Sequence, residues 1–258
     1  YESGYVTNYK NMPFIWFNQK FSKLSLSFLA LNNGYQYENL TENKFQVAYL
    51  QTIGTYGKWD ASKFYGDFGL YAQTGEAAVT NEKVDVGAYY AGFNLGYKFT
   101  NPFKAELGFE YLSGKDQNDT DTKVKSFTPL FGTNHGFNGL MDYFYVGNHK
   151  NSVGLQDFYT KFIYDKNKWQ VTLAPHVFYS AASVYNMATL EEQDSYLGTE
   201  IDLTATYKMD KNFVITGGVS KMFASETMEV LKGGNNSNCN NWAWVMVSFN
   251  PQLFTYKK

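Results

Sequence analysis

Arginine is missing from all 258 residues, so every fixed positive charge on a side chain is a lysine. The planar, two-pronged anion clamps made by guanidinium groups are therefore not open to this chain. Cysteine occurs once, at Cys239, which excludes an internal disulfide and a cysteine-rich metal site. It sits in an asparagine-rich stretch and reads as an ordinary loop thiol. Long apolar runs are also lacking: no window approaches the roughly 18–20 consecutive apolar residues of a membrane helix. Neither sign of charge dominates. A net charge of −2 excludes the basic footprint of a nucleic-acid binder, so no nucleic-acid partner is expected. The start at Tyr1 shows no basic segment followed by an apolar core, so no signal peptide is expected within it. Tyr1 is then expected to be a mature start or a truncated edge.

What is present is aromatic. Tyr, Phe and Trp make up 19% of the chain, yet mean hydropathy is −0.41, so the rings sit in an otherwise polar sequence. A soluble protein can have that profile, and so can a membrane barrel, whose strands carry only half their side chains on the lipid face.

Period-two alternation decides which faces are apolar. In 196–208, Leu197, Thr199, Ile201, Leu203, Ala205 and Tyr207 share one face, and Glu200, Asp202, Thr204, Thr206 and Lys208 share the other. In 104–112, Ala105, Leu107, Phe109 and Tyr111 oppose Lys104, Glu106 and Glu110. In 63–73, Phe64, Phe68, Leu70 and Ala72 oppose Lys63, Asp67 and Gln73. The pattern predicts strands over 13–19, 22–32, 43–55, 61–75, 84–99, 103–114, 151–164, 168–182, 196–208, 212–224 and 241–254. Many exceed the usual globular strand and match the ~9–11 residues that cross a bilayer at a tilt. Pro175 falls inside a strand, where a missing ladder donor predicts a bulge or bend.

Connections sort by length. Tight turns are predicted near 19–22, 56–60, 100–102, 165–167 and 210–211, and longer links near 33–42, 76–83, 114–150, 182–195 and 225–240. Alternation of short and long is what an outer-membrane barrel requires, with short periplasmic turns and long extracellular loops. By parity the last strand runs toward the periplasm, which places the C-terminus there. The expected architecture is an all-β, antiparallel, up-and-down transmembrane barrel occupying residues 1–258 as one domain. Eleven strands is an odd number, whereas single-chain bacterial barrels have even numbers. Either residues 1–9 supply part of another strand, or the chain is the C-terminal portion of a larger barrel, the latter being the expectation.

The closing strand, Asn241-Trp242-Ala243-Trp244-Val245-Met246-Val247-Ser248-Phe249, runs on to Phe254 and Thr255-Tyr256-Lys257-Lys258. It looks like the signal read by the outer-membrane assembly machinery. The long link carries Phe127-Thr128-Pro129-Leu130-Phe131-Gly132-Thr133-Asn134-His135, then Phe137-Asn138-Gly139 and Met141-Asp142-Tyr143-Phe144-Tyr145-Val146-Gly147. A strand beginning Ser152-Val153-Gly154-Leu155 follows. These runs, with the Trp-Ala-Trp-Val closing strand, resemble the alginate-export family of outer-membrane barrels. The resemblance implies a Gram-negative outer-membrane location and passive export of an anionic polysaccharide through a lumen rich in arginine. This chain departs on the last point.

Inward positions are mixed in sign. Asp67, Glu106, Glu110, Asp157, Glu200 and Asp202 are expected to face the lumen with Lys63, Lys98, Lys104, Lys161 and Lys208. Rings of such charges filter ions in pores; the other reading is a mutually paired network that props the barrel. The 114–150 link is long enough to be functional, and its aromatic half predicts a constriction loop carrying His135, Asp142, Tyr143 and Tyr145. A self-packed cap is the other reading. Asp116, Asn118, Asp119 and Asp121 read as a solvated acidic loop, and His135, His149 and His176 lack metal-site spacing. Neither a cofactor, a bound metal nor a catalytic step is expected. Trp169, Tyr207 and Phe213 are expected in an interfacial aromatic girdle. The expected function is a porin-like channel for small hydrophilic solutes or saccharides, with lipid and the assembly machinery as partners. The alternatives are a structural or docking barrel within an outer-membrane complex, its lumen occluded, and a soluble β-rich binding module.

Overall fold

The computed structural model describes residues 8–132, 135–150 and 152–255. Strands β1 (Tyr9–Asn11), β2 (Phe14–Phe21), β3 (Leu24–Asn39), β4 (Lys44–Ala61), β5 (Phe64–Val79), β6 (Glu82–Lys98) and β7 (Phe103–Leu112) form the first half. After the long link come β8 (Leu155–Lys166), β9 (Trp169–Tyr179), a small hairpin of β10 (Tyr185–Asn186) and β11 (Glu191–Glu192), then β12 (Tyr196–Lys208). The chain continues through β13 (Phe213–Ala224), helix α1 (Glu226–Lys232) and β14 (Asn240–Phe249). All but β10 and β11 join one antiparallel sheet in which sequence neighbours are sheet neighbours. No helix among the described residues is long and apolar enough to cross a membrane.

β1 and β2 are two parts of one path along β3, Asn11 opposite Gly34 and Phe14 opposite Leu31. The break falls at Met12-Pro13, where proline has no N–H to give the ladder. Tyr9 thus extends the first strand and starts no other, and residues 1–7 lie outside the described residues. So do Thr133 and Asn134 of the loop motif, Asn151 at the expected start of β8, and residues 256–258. The sheet is a partial barrel: among the described residues, nothing pairs with the free edge of β2 or of β14.

The alternation of connection lengths needs correcting at two places. β3 runs to Asn39 and β4 begins at Lys44, so the link expected over 33–42 is a turn. β5 and β6 pair as far as Val79 opposite Glu82, closing the link expected over 76–83 into another turn. Asn43 (φ 49°) and Thr80 (φ 53°) sit at these hairpin tips. The ladders simply continue past the apolar band, where either water or a neighbouring strand satisfies the backbone. Conversely, 56–60 is strand, and the turn lies at Ser62 (φ 61°) and Lys63. Lys63, expected on an inward strand position, is therefore at the short-turn end of the sheet.

Register assigns the two faces. Thr52, Gln73 and Ala88 lie in one row pointing inward, and Ile53, Ala72 and Tyr89 lie in the outward row beside it. Trp169 and Tyr207, 4.7 Å apart, and Phe213 against Phe249 form outward aromatic pairs at the short-turn end. The face expected for Leu197 is corrected by a bulge: Tyr196 opposes Tyr179 but Gly198 opposes Phe178. One extra residue turns Leu197 inward, where it is buried. Pro175 causes no bulge. β8 and β9 lose ladder pairing between Tyr159–His176 and Phe162–Leu173 but keep register on both sides.

The apolar core lies inside the sheet, toward its long-loop end. Tyr35, Leu50, Val86, Leu112, Leu155, Phe178, Leu197 and Met222 from the wall pack with Val124, Phe127 and Phe144 of the long link and Met228 of α1. The link thus supplies the hydrophobic partner that the upper inner wall would otherwise lack.

Candidate functional site: an acidic eyelet under an inward loop

The long link enters along β6, where Val124 exchanges hydrogen bonds with the backbone around Val86: Gly87 N to Val124 O at 2.9 Å and Val124 N to Asp85 O at 2.8 Å. It crosses to β5, where Thr128 N donates to Gln73 Oε1 (3.1 Å) and Gln73 Nε2 returns a bond to Thr128 O (2.8 Å). It then turns sharply between Gly136 and Asp142 on the opposite inner wall. Asn138 (φ 51°), Gly139 (φ 89°) and Asp142 (φ 58°) are left-handed there. A run of this kind turns backbone N–H groups toward one side and makes a concavity suited to anions.

The anions are wall carboxylates. The Leu140 N–H donates to Glu200 Oε1 (2.7 Å) and Asp202 Oδ2 (3.2 Å), and the Met141 N–H to Glu200 Oε1 (2.9 Å). Asn138 Nδ2 donates to Glu110 Oε2 (3.0 Å) and Asp157 Oδ2 (3.2 Å). Gly139 has to be glycine: a Cβ there would lie 2.6 Å from a Glu200 oxygen, and its φ is positive. Further partners complete the set. His176 Nδ1 lies 3.0 Å from each Asp157 oxygen, and Ser220 Oγ donates to Asp202. Burying carboxylates is costly unless donors are supplied, and Asp157, Glu200 and Asp202 are each almost wholly buried. Charge-assisted bonds to backbone N–H groups are among the stronger contacts available. The loop is therefore latched to three strands through acids on the wall.

Below the turn is a cavity of about 370 Å³. Glu106, Glu110, Asp157 and Asp202 line it, with Lys161 and His176 as the basic groups. Glu106 accepts from Tyr65 OH (2.9 Å) and stands opposite Lys161 in register, while Lys161 Nζ lies 4.9 Å from the centre of the Tyr159 ring. Above the turn is a second cavity of about 710 Å³, lined in part by Phe144, Tyr145, His149, Lys150 and Lys232. Burial pushes the His149 imidazole down to about 4, and its Nε2 faces Phe144 O at 3.2 Å. Burial also lowers the Lys150 and Lys232 ammonium groups.

The structure gathers some of the expected lumen residues and scatters others. Glu106, Glu110, Asp157, Lys161, Glu200 and Asp202 meet around the turn, and Asp67 is inward on β5 beside them. Lys98 is tied to Asp60 (2.6 Å) and Lys104 to Asp165 (3.7 Å) at the short-turn end. Lys208, on the last position of β12, is exposed there too. Asn138, Gly139 and Leu140 line the cavity from the loop side. His135 and Asp142 pair with each other at 2.8 Å and are partly exposed, Tyr143 is half-buried, and Tyr145 lines the upper cavity. Asn138 and His176 were not singled out for the eyelet in the sequence. Inward parity was the signal for His176, whereas a loop asparagine gives none.

No curated protein matches the chain. Among solved structures it is similar to the NanC porin, at 9% identity over 93% of each chain with a TM-score of 0.44. It is also similar to the copper transporter OprC, at 12% identity over 84% of this chain and 37% of that one, again with a TM-score of 0.44. The sequence model of the Alginate export family matches residues 38–240, from near the end of β3 to the first residue of β14. The chain belongs to that family of outer-membrane β-barrel channels.

Proposed function

We propose that the chain lines a passive channel for small hydrophilic solutes or saccharides, with an eyelet that favours cations and neutral molecules over polyanions, and with no catalytic step. The observation that carries this is the cavity under the 136–142 turn, where four carboxylates face one lysine and one histidine. Charged rings at a narrow passage select ions by sign. In this reading the long loops are extracellular and the C-terminus periplasmic, and the closing strand serves the assembly machinery. Further strands, meeting the free edges of β2 and β14, complete a larger barrel.

The test is the reversal potential across a planar bilayer under a KCl gradient. Potassium should permeate in preference to chloride. Glu106→Gln removes one cavity charge without touching the latch and should lower that preference by about threefold, the effect of a unit charge roughly 6 Å away in a water-like dielectric. Anion preference in the unaltered protein would overturn the reading. One observation favours a second reading, a docking or structural subunit with an occluded lumen: Phe127, Phe144, Phe178, Leu197 and Met228 form an apolar plug across the long-loop half. A folded protein that never conducts would decide for it.

A further inference from the structure

The lipid-facing side of β9, β12, β13 and β14 carries one feature that neither the channel nor the loop uses. Register makes the odd residues of β9, β13 and β14, and those of β12 from Thr199 on, outward. Among these described positions Lys221 is the only charge. Around it lies a groove of about 600 Å³: Leu173, Leu203, Val219 and Ala243 form its lower row, Ile201 and Asn241 flank Lys221 in the row above, and Phe223 lines it one step further toward the long-loop end.

Height is what makes the lysine informative. A strand rises roughly 3.3 Å per residue and tilts by about 40° in such barrels. From the girdle residue Phe213 to Lys221 the chain therefore climbs about 20 Å along the membrane normal. The apolar band is about 25 Å tall, so Lys221 stands near its far boundary, close to headgroup level, and the lower row of the groove faces the acyl region. Lys221 Nζ lies 5.0 Å from the centre of the Phe223 ring, two residues further toward the long-loop end. The stem thus runs along the wall and lifts the ammonium toward the interface, as long cationic side chains do. No carboxylate among the described residues is within ion-pair distance of it.

We propose that this groove is a binding site for a phosphate-bearing anionic lipid of the leaflet at the long-loop end, one acyl chain in the groove and the phosphate on Lys221, with Asn241 beside it. An apolar row beneath an outward cation near headgroup level matches the two ends of such a lipid. The proposal requires only that the barrel sits in the membrane, so it stands whether or not the lumen conducts.

Native mass spectrometry of the folded protein in detergent tests it, with dilauroyl-phosphatidylglycerol and dilauroyl-phosphatidylcholine as probes. Phosphatidylglycerol should be retained over phosphatidylcholine. Lys221→Gln should weaken that retention by roughly fivefold, the worth of one lysine at an anionic interface. Ala243→Phe, which fills the trough and leaves the charge, should weaken it as well; Val219→Trp serves if that variant does not fold. Heat-modifiable gel mobility establishes folding in each case. Inorganic phosphate in excess should leave the lipid bound. Wild-type retention in Lys221→Gln would overturn the site, and wild-type retention in the folded trough-filling variant would overturn the acyl part. Displacement by phosphate alone would show an anion site and no lipid site.

Discussion

Leu203 and Thr204 are chain neighbours that live in different solvents. Leu203 is 42% exposed on the outward face between Leu173 and Val219, whereas Thr204 lines the cavity under the loop. Arginine at Leu203 puts a charge against lipid, at a cost of roughly 2–4 kcal/mol near the midplane. Leu203→Arg should therefore reduce the folded, heat-modifiable fraction in membranes, while Thr204→Arg should assemble and move the reversal potential toward anions. Equal damage from both would mean that the faces are misassigned. Most facings were legible at this scale because alternation needs only the next residue but one. Leu197 was not, since a bulge is a property of two strands together: nothing in the sequence Tyr196-Leu197-Gly198 records that Tyr179 and Phe178 opposite leave no place for an extra residue.

Among elements, the eleven long strand paths were all legible, because each carries its own apolar face. The loop's course was only partly so. Its aromatic half announced that it must bury somewhere, but its anchor points are wall carboxylates distant in sequence, and a hydrogen bond from a backbone N–H has no sequence signature. Helix α1 was also hidden. Ser225 caps it, accepting from Met228 N, and Gly233 (φ 72°) ends it, but seven residues are too few to show a helical period. The loop should respond to acid through His149. Its folded value of about 4 lies below the ordinary value near 6.5, so the unfolded form takes up the proton first as pH falls. Stability from the neutral, buried ring is complete above pH 6.5 and is lost progressively as pH drops toward 4, by on the order of 3 kcal/mol. Corrected for intrinsic exchange rates, the protection of amides 143–150 should fall between pH 7 and pH 5 more than that of amides in β5. His149→Gln should flatten that difference; an unchanged pH response would show that another group controls the loop.

For the whole molecule the decisive feature is the pair of free edges. β2 is exposed at every residue and β14 at nearly every one, on both faces, although each is paired on one side over its full length. Interior strands of the same sheet alternate instead. A strand edge in lipid leaves N–H and C=O groups with no water to satisfy them, at several kcal/mol each, so such edges do not persist there. Both edges carry outward apolar side chains such as Phe17 and Val247, as the lipid-facing wall between them does. Hydrogen exchange of the protein in its native membrane should then protect all the amides of Phe14–Phe21 and Asn240–Phe249 as well as those of β5, except at the break near Pro13. If instead alternate amides in those two strands exchange quickly while β3 to β13 stay protected, the sheet ends in the membrane as an open edge. Closure into a larger barrel would then be wrong, and with it a lumen sealed from lipid.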